Sequence, residues 1–332
     1  MRKRTSIFLI IVLFCITAFA KKIVVLPELP EVNYIAVDHS QIYISHLTDI
    51  YIYSKKNYKF VKKIGRSGEG PGEFIMMVMK IIPQNDRLFI NSFGKISYWK
   101  KDGTFIKEIK PQGGIMTSLS PIKDHFAGIS MAGTQQRAKF TINIFDSKGK
   151  KIKKISNIGE FSQNSKISPF LNSQMWYQTS DQFIFVHGED GVINLFDVSG
   201  KKHLSINYPF KSMKLKKKHR ENYLNYMKTN PMTKAYYDVI KKMISFPNQF
   251  PKIKFFIVRN DYLYIFPYYR KGPDSEVYKF DSTGRLIKKA SVLLADRHIV
   301  EYFPFDIFDD KIYQLVENED KEAWELHIID IR

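Results

Sequence analysis

The side chains best suited to chemistry in this sequence lie close together in its second half. Lys216-Lys217-Lys218-His219-Arg220 places five basic groups in a row, His219 counting only when protonated, and Tyr223, Tyr226, Tyr236 and Tyr237 follow. Cations beside tyrosines suit an anionic polymer or a membrane interface, because the charges attract while an amphipathic ring sits half wet. Lys217, Lys218, Arg220, Tyr223 and Tyr226 are therefore candidate binding residues. The competing use of the same rings is to pack helices onto the body of the protein. A second group is the loop Gly65-Arg66-Ser67-Gly68-Glu69-Gly70-Pro71-Gly72-Glu73-Phe74. It has no Gly-Lys-Ser/Thr ending and no helix-forming stretch after it, so it is not a phosphate-binding loop. Its glycines suit a tight connection in which Glu73 accepts from backbone NH groups, and Arg66, Glu69 and Glu73 are the candidate binding residues it offers.

Signals for catalysis are missing. Eight histidines are scattered with no HxxxH pair, no GxSxG elbow occurs, and the single cysteine, Cys15, lies in the N-terminal apolar stretch. No catalytic residue, metal ligand or cofactor is assigned on this basis.

The elements that must carry these residues are strands. Of 332 residues 44% are hydrophobic and 14% aromatic, including 26 Phe and 19 Tyr, with many short Ile/Val runs; this excludes a largely disordered chain and favours an all-β one. A polar turn residue followed by a short apolar strand recurs at Ser40, Asp86, Asp124, Asp181, Asp261 and Asp310. A second unit, an aromatic strand end followed by a turn with Asp and Gly, recurs at Tyr98–Gly103, Phe145–Lys150, Phe196–Lys201 and Phe280–Arg285, with a weaker copy over Tyr53–Ile64. Glycine there supplies the positive φ that closes a hairpin. The starts of the first unit are 46, 38, 57, 80 and 49 residues apart, and four-stranded propeller blades repeat at roughly 40–50. The excess in the longest interval falls at about 217–250, where Tyr223, Leu224, Met227 and then Tyr236, Val239, Ile240, Met243 recur at helical spacing, with Asn230 and Pro231 placed to start a second helix. The last blade has only three strands before the chain ends. Lys22–Leu26 is expected to supply its fourth and close the ring.

The N-terminus reads as a secretory signal: basic Arg2, Lys3 and Arg4, an apolar stretch, then Ala18-Phe19-Ala20 before Lys21. Ile7 to Ala20 is 14 residues, short of the roughly 20 needed to span a bilayer, and no later segment is long and apolar enough. Phe14 stands where a lipobox has a small residue. Cleavage leaves no thiol and a net charge of +16 over 312 residues, with 49 basic groups against 33 acidic. Export to the periplasm or cell exterior makes nucleic acid an unsuitable partner for that charge. A protein, an anionic polysaccharide or an anionic lipid surface is expected instead.

The Gly65–Phe74 loop fits the GxxGxxxGxF pattern that opens an NHL-type repeat, and Asn85-Asp86, Leu88-Phe89-Ile90 and Tyr98–Gly103 follow it in order. The chain thus resembles bacterial exported six-bladed β-propeller proteins related to NHL repeats, in which a GxGPGEF loop is common. The match is specific over Gly65–Gly103 and rests on degenerate spacing elsewhere. The resemblance implies a binding or scaffold role and puts Arg66, Glu69 and Glu73 near the channel mouth. Propeller hydrolases and lactonases similar to gluconolactonase hold a divalent cation with Glu, Asn and Asp; Glu73, Asn91, Asn172 and Asp306 are candidate oxygens for that alternative.

The expected architecture is an all-β six-bladed β-propeller over 21–332, as one domain, with a short helical insertion at about 217–250 between blades four and five and a signal peptide over 1–20. The leader reading predicts that the mature chain starts at Lys21. Intact mass and N-terminal peptide mapping of protein recovered from the cell envelope check it, and a chain retaining Met1 would contradict it.

Overall fold

Strand alternation here sends apolar groups to both sides of each sheet. In the strand Gln41–His46, Ile42 and Ile44 pack on one side with Leu315 and Leu326, while Tyr43 on the other packs with Leu88 and Ile90. A sheet clamped between two others has no solvated face, which is why these strands read as near-continuous apolar runs. The computed structural model describes residues 22–112, 118–134, 137–162, 166, 168–170, 177–188, 191–230, 233–270 and 272–331. The leader expected over 1–20 lies outside them, as do Asn172 and Pro231.

Six four-stranded antiparallel sheets make the blades of a propeller. Blade one runs Tyr34–Val37, Gln41–His46, Asp49–Ser54, Phe60–Ile64, and blade two runs Val78–Pro83, Arg87–Ser92, Lys95–Lys100, Phe105–Ile109. Blade three is Leu119–Ile122, His125–Gly133, Arg137–Phe145, Lys151–Ser162, and blade four is Tyr177–Thr179, Ile184–His187, Ile193–Phe196, Lys202–Ile206. Blade five is Ile253–Arg259, Tyr262–Pro267, Ser275–Phe280, Leu286–Val292. Blade six takes Phe305–Phe308, Lys311–Asn318 and Ala323–Asp330 from the C-terminus and Lys22–Leu26 from the N-terminus. The apolar unit seen six times in the sequence is the second strand of every blade. The first strands meet their neighbours around the axis, except that the first strand of blade three meets the second strand of blade two.

The Asp-Gly unit forms the outer hairpins by one local mechanism. In blade three Asp146 Oδ1 accepts from the NH groups of Lys148 and Lys150 at 2.9 Å each, and Gly149 takes φ +78°. Asp197 and Asp281 repeat that pair of bonds in blades four and five. The turn also wedges against the preceding blade's exit: a Cβ on Gly149 would lie 2.8 Å from Pro111 Cα, so backbone conformation and close approach both require glycine there.

Closure is by antiparallel pairing of the two ends, from Lys22 opposite Ile328 to Leu26 opposite Trp324. Leu26 is buried with Val32, Ile35, Leu315 and Leu326, and Trp324 Nε1 donates to the Pro30 carbonyl at 2.9 Å.

Between blades four and five the chain leaves the ring as helices α1 (Lys217–Thr229) and α2 (Tyr237–Met243), with a 3₁₀ turn over Lys234–Tyr236 between them. The boundary differs from the sequence expectation. Asn230 terminates α1, its NH donating to the Tyr226 carbonyl and its Nδ2 to the Tyr226 hydroxyl, rather than starting a second helix. The short α2 also faces differently, since Tyr236 is 66% and Val239 62% exposed.

Deleting Lys22–Leu26 should strip one strand from blade six and leave Ala323–Asp330 as a free edge. Lowered thermal stability together with higher-order species on gel filtration is the expected outcome. An unchanged melting temperature would contradict closure by this strand.

Candidate functional site

Each innermost strand brings a polar side chain to the central channel: Tyr34, Lys80, Ser120, Tyr177, Arg259 and Asp306, one from each blade in order. Several interrupt apolar runs, as Lys80 does after Val78-Met79 and Arg259 after Phe256-Ile257-Val258. Asp306 is fully buried, and its oxygens join three blades. Oδ1 accepts from Arg259 Nε of blade five at 2.6 Å and from its neighbour Ile307 NH at 2.7 Å, while Oδ2 accepts from Val37 NH of blade one at 2.8 Å. Lys80 Nζ reaches across to blade three, donating to Ser120 Oγ at 2.8 Å, and lies 5.3 Å from the Tyr177 ring of blade four. The Tyr177 hydroxyl in turn meets the Ser118 carbonyl at 2.8 Å. Burial pushes that hydroxyl up to about 12, so it stays protonated at neutral pH. Desolvation, with the nearby Arg259 charge, pulls the Lys80 amine down to about 8. Among the described residues the channel thus holds two basic groups against one carboxylate.

The glycine loop turns inward on itself. Glu73 Oε2 accepts from Gly70 NH at 2.9 Å and its Oε1 pairs with Arg66 at 2.8 Å; the Gly70 NH bond, then the Arg66 charge, hold its carboxyl below the usual range. Phe74 is buried against Trp99, and Lys95 bonds the Gly70 carbonyl and Glu108. Arg66 and Glu69 are exposed, and no hydrogen bond or ion pair among the described residues links Arg66, Glu69 or Glu73 to the channel groups. The four oxygens considered for a channel cation do not converge either. Glu73 sits in this loop, Asp306 already holds Arg259, and Asn172 lies outside the described residues, which leaves Asn91 without a second oxygen from this set. Among the described residues no three His, Cys, Asp or Glu side chains group as metal ligands.

The insertion separates its candidates by face. Tyr223 packs on Phe246 at 6.0 Å and Phe170 at 6.3 Å, within a cluster that includes Phe250 and Tyr268. Tyr226 stacks on His298 at 3.9 Å. Arg220 lies over the Phe246 ring and bonds the Pro247 carbonyl. Tyr223 and Tyr226 seat α1 on the propeller, and Arg220 braces it within the insertion. Lys217, its side chain 90% exposed, and Lys218 face solvent. Lys214, Lys216, Lys234, Lys241 and Lys242 are exposed too, and between residues 211 and 252 eleven Lys/Arg stand against Glu221 and Asp238. His219 is not among the cations: desolvation, then Lys218 and Lys216, keep its ring below its ordinary value and neutral at pH 7. The outward-facing ring is Tyr236.

Replacing Asp306 by Ala leaves Arg259 buried without its partner and should cost about 3–5 kcal/mol in urea unfolding. Lys80→Met removes a desolvated amine that pairs with no carboxylate among the described residues, so it should change stability by about 1 kcal/mol or less. The Lys80 amine binds its proton less readily in the fold than in the unfolded chain, so stability should rise with pH from about 8 towards 10.5, and less so in Lys80→Met. A cheap Asp306→Ala would contradict the three-blade role.

Residues 28–187 match the model of the DUF5128 family, described as a 6-bladed beta-propeller. No curated protein matches the chain. Among solved structures it is similar to BBS1N in complex with ARL6DN, soaked with lead, at 10% identity and TM-score 0.36, over 88% of this chain and 76% of that one. It is also similar to BamB from Moraxella catarrhalis at 9% identity and TM-score 0.32, over 88% of this chain and 71% of that one. The family match spans blades one to three and the start of blade four, and the described strands beyond it complete the same 6-bladed beta-propeller.

Proposed function

We propose that this protein is an exported binding propeller of the cell envelope whose helical insertion engages an acidic polysaccharide. The observation that carries the reading is the solvent face of the insertion, where Lys216, Lys217, Lys218, Lys234, Lys241 and Lys242 are exposed with little opposing charge. The leader-like N-terminus and the mature charge of +16 support a location outside the cytoplasm and an anionic partner. The resemblance of the Gly65–Phe74 loop to that of NHL-type propellers supports a binding or scaffold role over a catalytic one.

A polysaccharide is favoured over a lipid surface because the outward apolar area is small. Among the described residues Tyr236 and Val239 are the large apolar groups exposed on the insertion, and α2 has seven residues, too little for an amphipathic helix lying in a bilayer interface. One ring among lysines is instead suited to stack on a sugar while ammonium groups meet carboxylates. Since Arg220, Tyr223 and Tyr226 hold the insertion in place, contact falls to the lysines and Tyr236.

The test is retention of the mature protein on immobilised polygalacturonate, compared with vesicles rich in phosphatidylglycerol. Lys217, Lys218 and Lys242 changed together to Ser should weaken polysaccharide binding by about tenfold or more without lowering the melting temperature. Binding should also fall steeply between low and physiological salt, where charges screen beyond about 8 Å. Unchanged affinity in the triple variant, or retention by vesicles alone, would overturn the reading.

A further inference from the structure

Among the described residues the channel charges do not balance, and the excess is positioned. Arg259 is committed to Asp306, which leaves Lys80 bonded to Ser120 Oγ with no carboxylate in reach among the described residues. Lys254 shows what a buried lysine looks like when satisfied: its Nζ lies 2.5 Å from Asp296, which also takes two bonds from Arg270. A second observation lies beside Lys80. Asn91 is its direct partner across the ladder of blade two, so both side chains project from the same face of the sheet. Asn91 is fully buried, and neither its Oδ1 nor its Nδ2 has a hydrogen-bond partner. A buried primary amide left without either bond is costly, which marks a place built for a further polar group.

We infer that the central channel binds the carboxylate of a small organic acid, received by Lys80 with Asn91 beside it. One excess positive charge calls for one negative charge. A carboxylate meets that balance, whereas a phosphate dianion would leave the low-dielectric channel with net negative charge. Carboxylate oxygens accept only, which matches an ammonium with spare protons and an amide NH₂ with none of its protons used. This site is separate from the insertion and does not depend on how that surface is used.

The mature protein, Lys80→Met and Lys254→Met are each titrated with acetate and, separately, with inorganic phosphate at fixed ionic strength and pH 7. Two quantities are followed: the melting temperature and the rate at which limiting sulfo-NHS-acetate modifies Lys80, mapped by mass spectrometry against exposed Lys217. Acetate should slow modification of Lys80 at least fivefold while leaving Lys217 unchanged. It should raise the melting temperature of the wild type and of Lys254→Met, with at least tenfold weaker apparent affinity in Lys80→Met. Should Lys80→Met fail to fold, protection of Lys80 in the wild type decides alone. Acetate that leaves the Lys80 rate unmoved, stabilisation of equal size in Lys80→Met, or phosphate protecting as well as acetate would overturn the inference.

Discussion

A carboxylate with no solvent contact must have its negative charge met inside the protein, and Asp306 meets it with groups from three blades: Arg259 of blade five, its own strand in blade six, and Val37 NH of blade one. The desolvation of such a group is several kcal/mol, so it holds position only while all partners are in place. Blade six is also the blade assembled from both ends of the chain. The axial ion pair and the Lys22–Leu26 pairing therefore constrain the same seam at its inner and outer radius. Every other blade is continuous in sequence and needs no such pin.

Two electrostatic regimes follow from that frame. On the insertion, lysines stand in water, where their field is long-ranged but screened by salt and no single one matters greatly. In the channel, Lys80 and Arg259 are few but desolvated, so each group alters what its neighbours can do. The propeller keeps the regimes apart by seating α1 through Tyr223 on Phe170 and Tyr226 on His298, while Arg220 braces it against the insertion's own Phe246 and Pro247.

Much of the ring was legible because its signals are local. The second strand of a blade carries an apolar run after a turn residue, and Asp146 or Asp281 closes its hairpin with bonds to residues two and four positions on. The channel was not legible by such means. Its six side chains are of five types and lie in separate blades, so no spacing joins Tyr34 to Lys80 or Asp306; the one usable clue is a charged residue inside an apolar inner strand. Asp306 was noticed for its oxygens, but which cation they face is a property of the closed ring. On the insertion, helical spacing found the two helices, yet basic and aromatic composition alone does not distinguish Lys217 in solvent from Arg220 lying on Phe246. Tyr236 and Val239 look like a core stripe in sequence and face outward, Tyr236 at the end of the 3₁₀ turn and Val239 in α2.

The pairing of Lys22–Leu26 with Ala323–Asp330 also sets a clock. A strand made among the first waits for partners made among the last, and a contact spanning some three hundred residues is entropically late however strong it is once formed. During synthesis the nascent chain can stack blade upon blade, yet its first and last sheets keep raw edges until the final hairpin emerges. Such a polypeptide has a long interval in which it is nearly folded but not shut. Any factor that attends it, whether chaperone or protease, has that open seam to read.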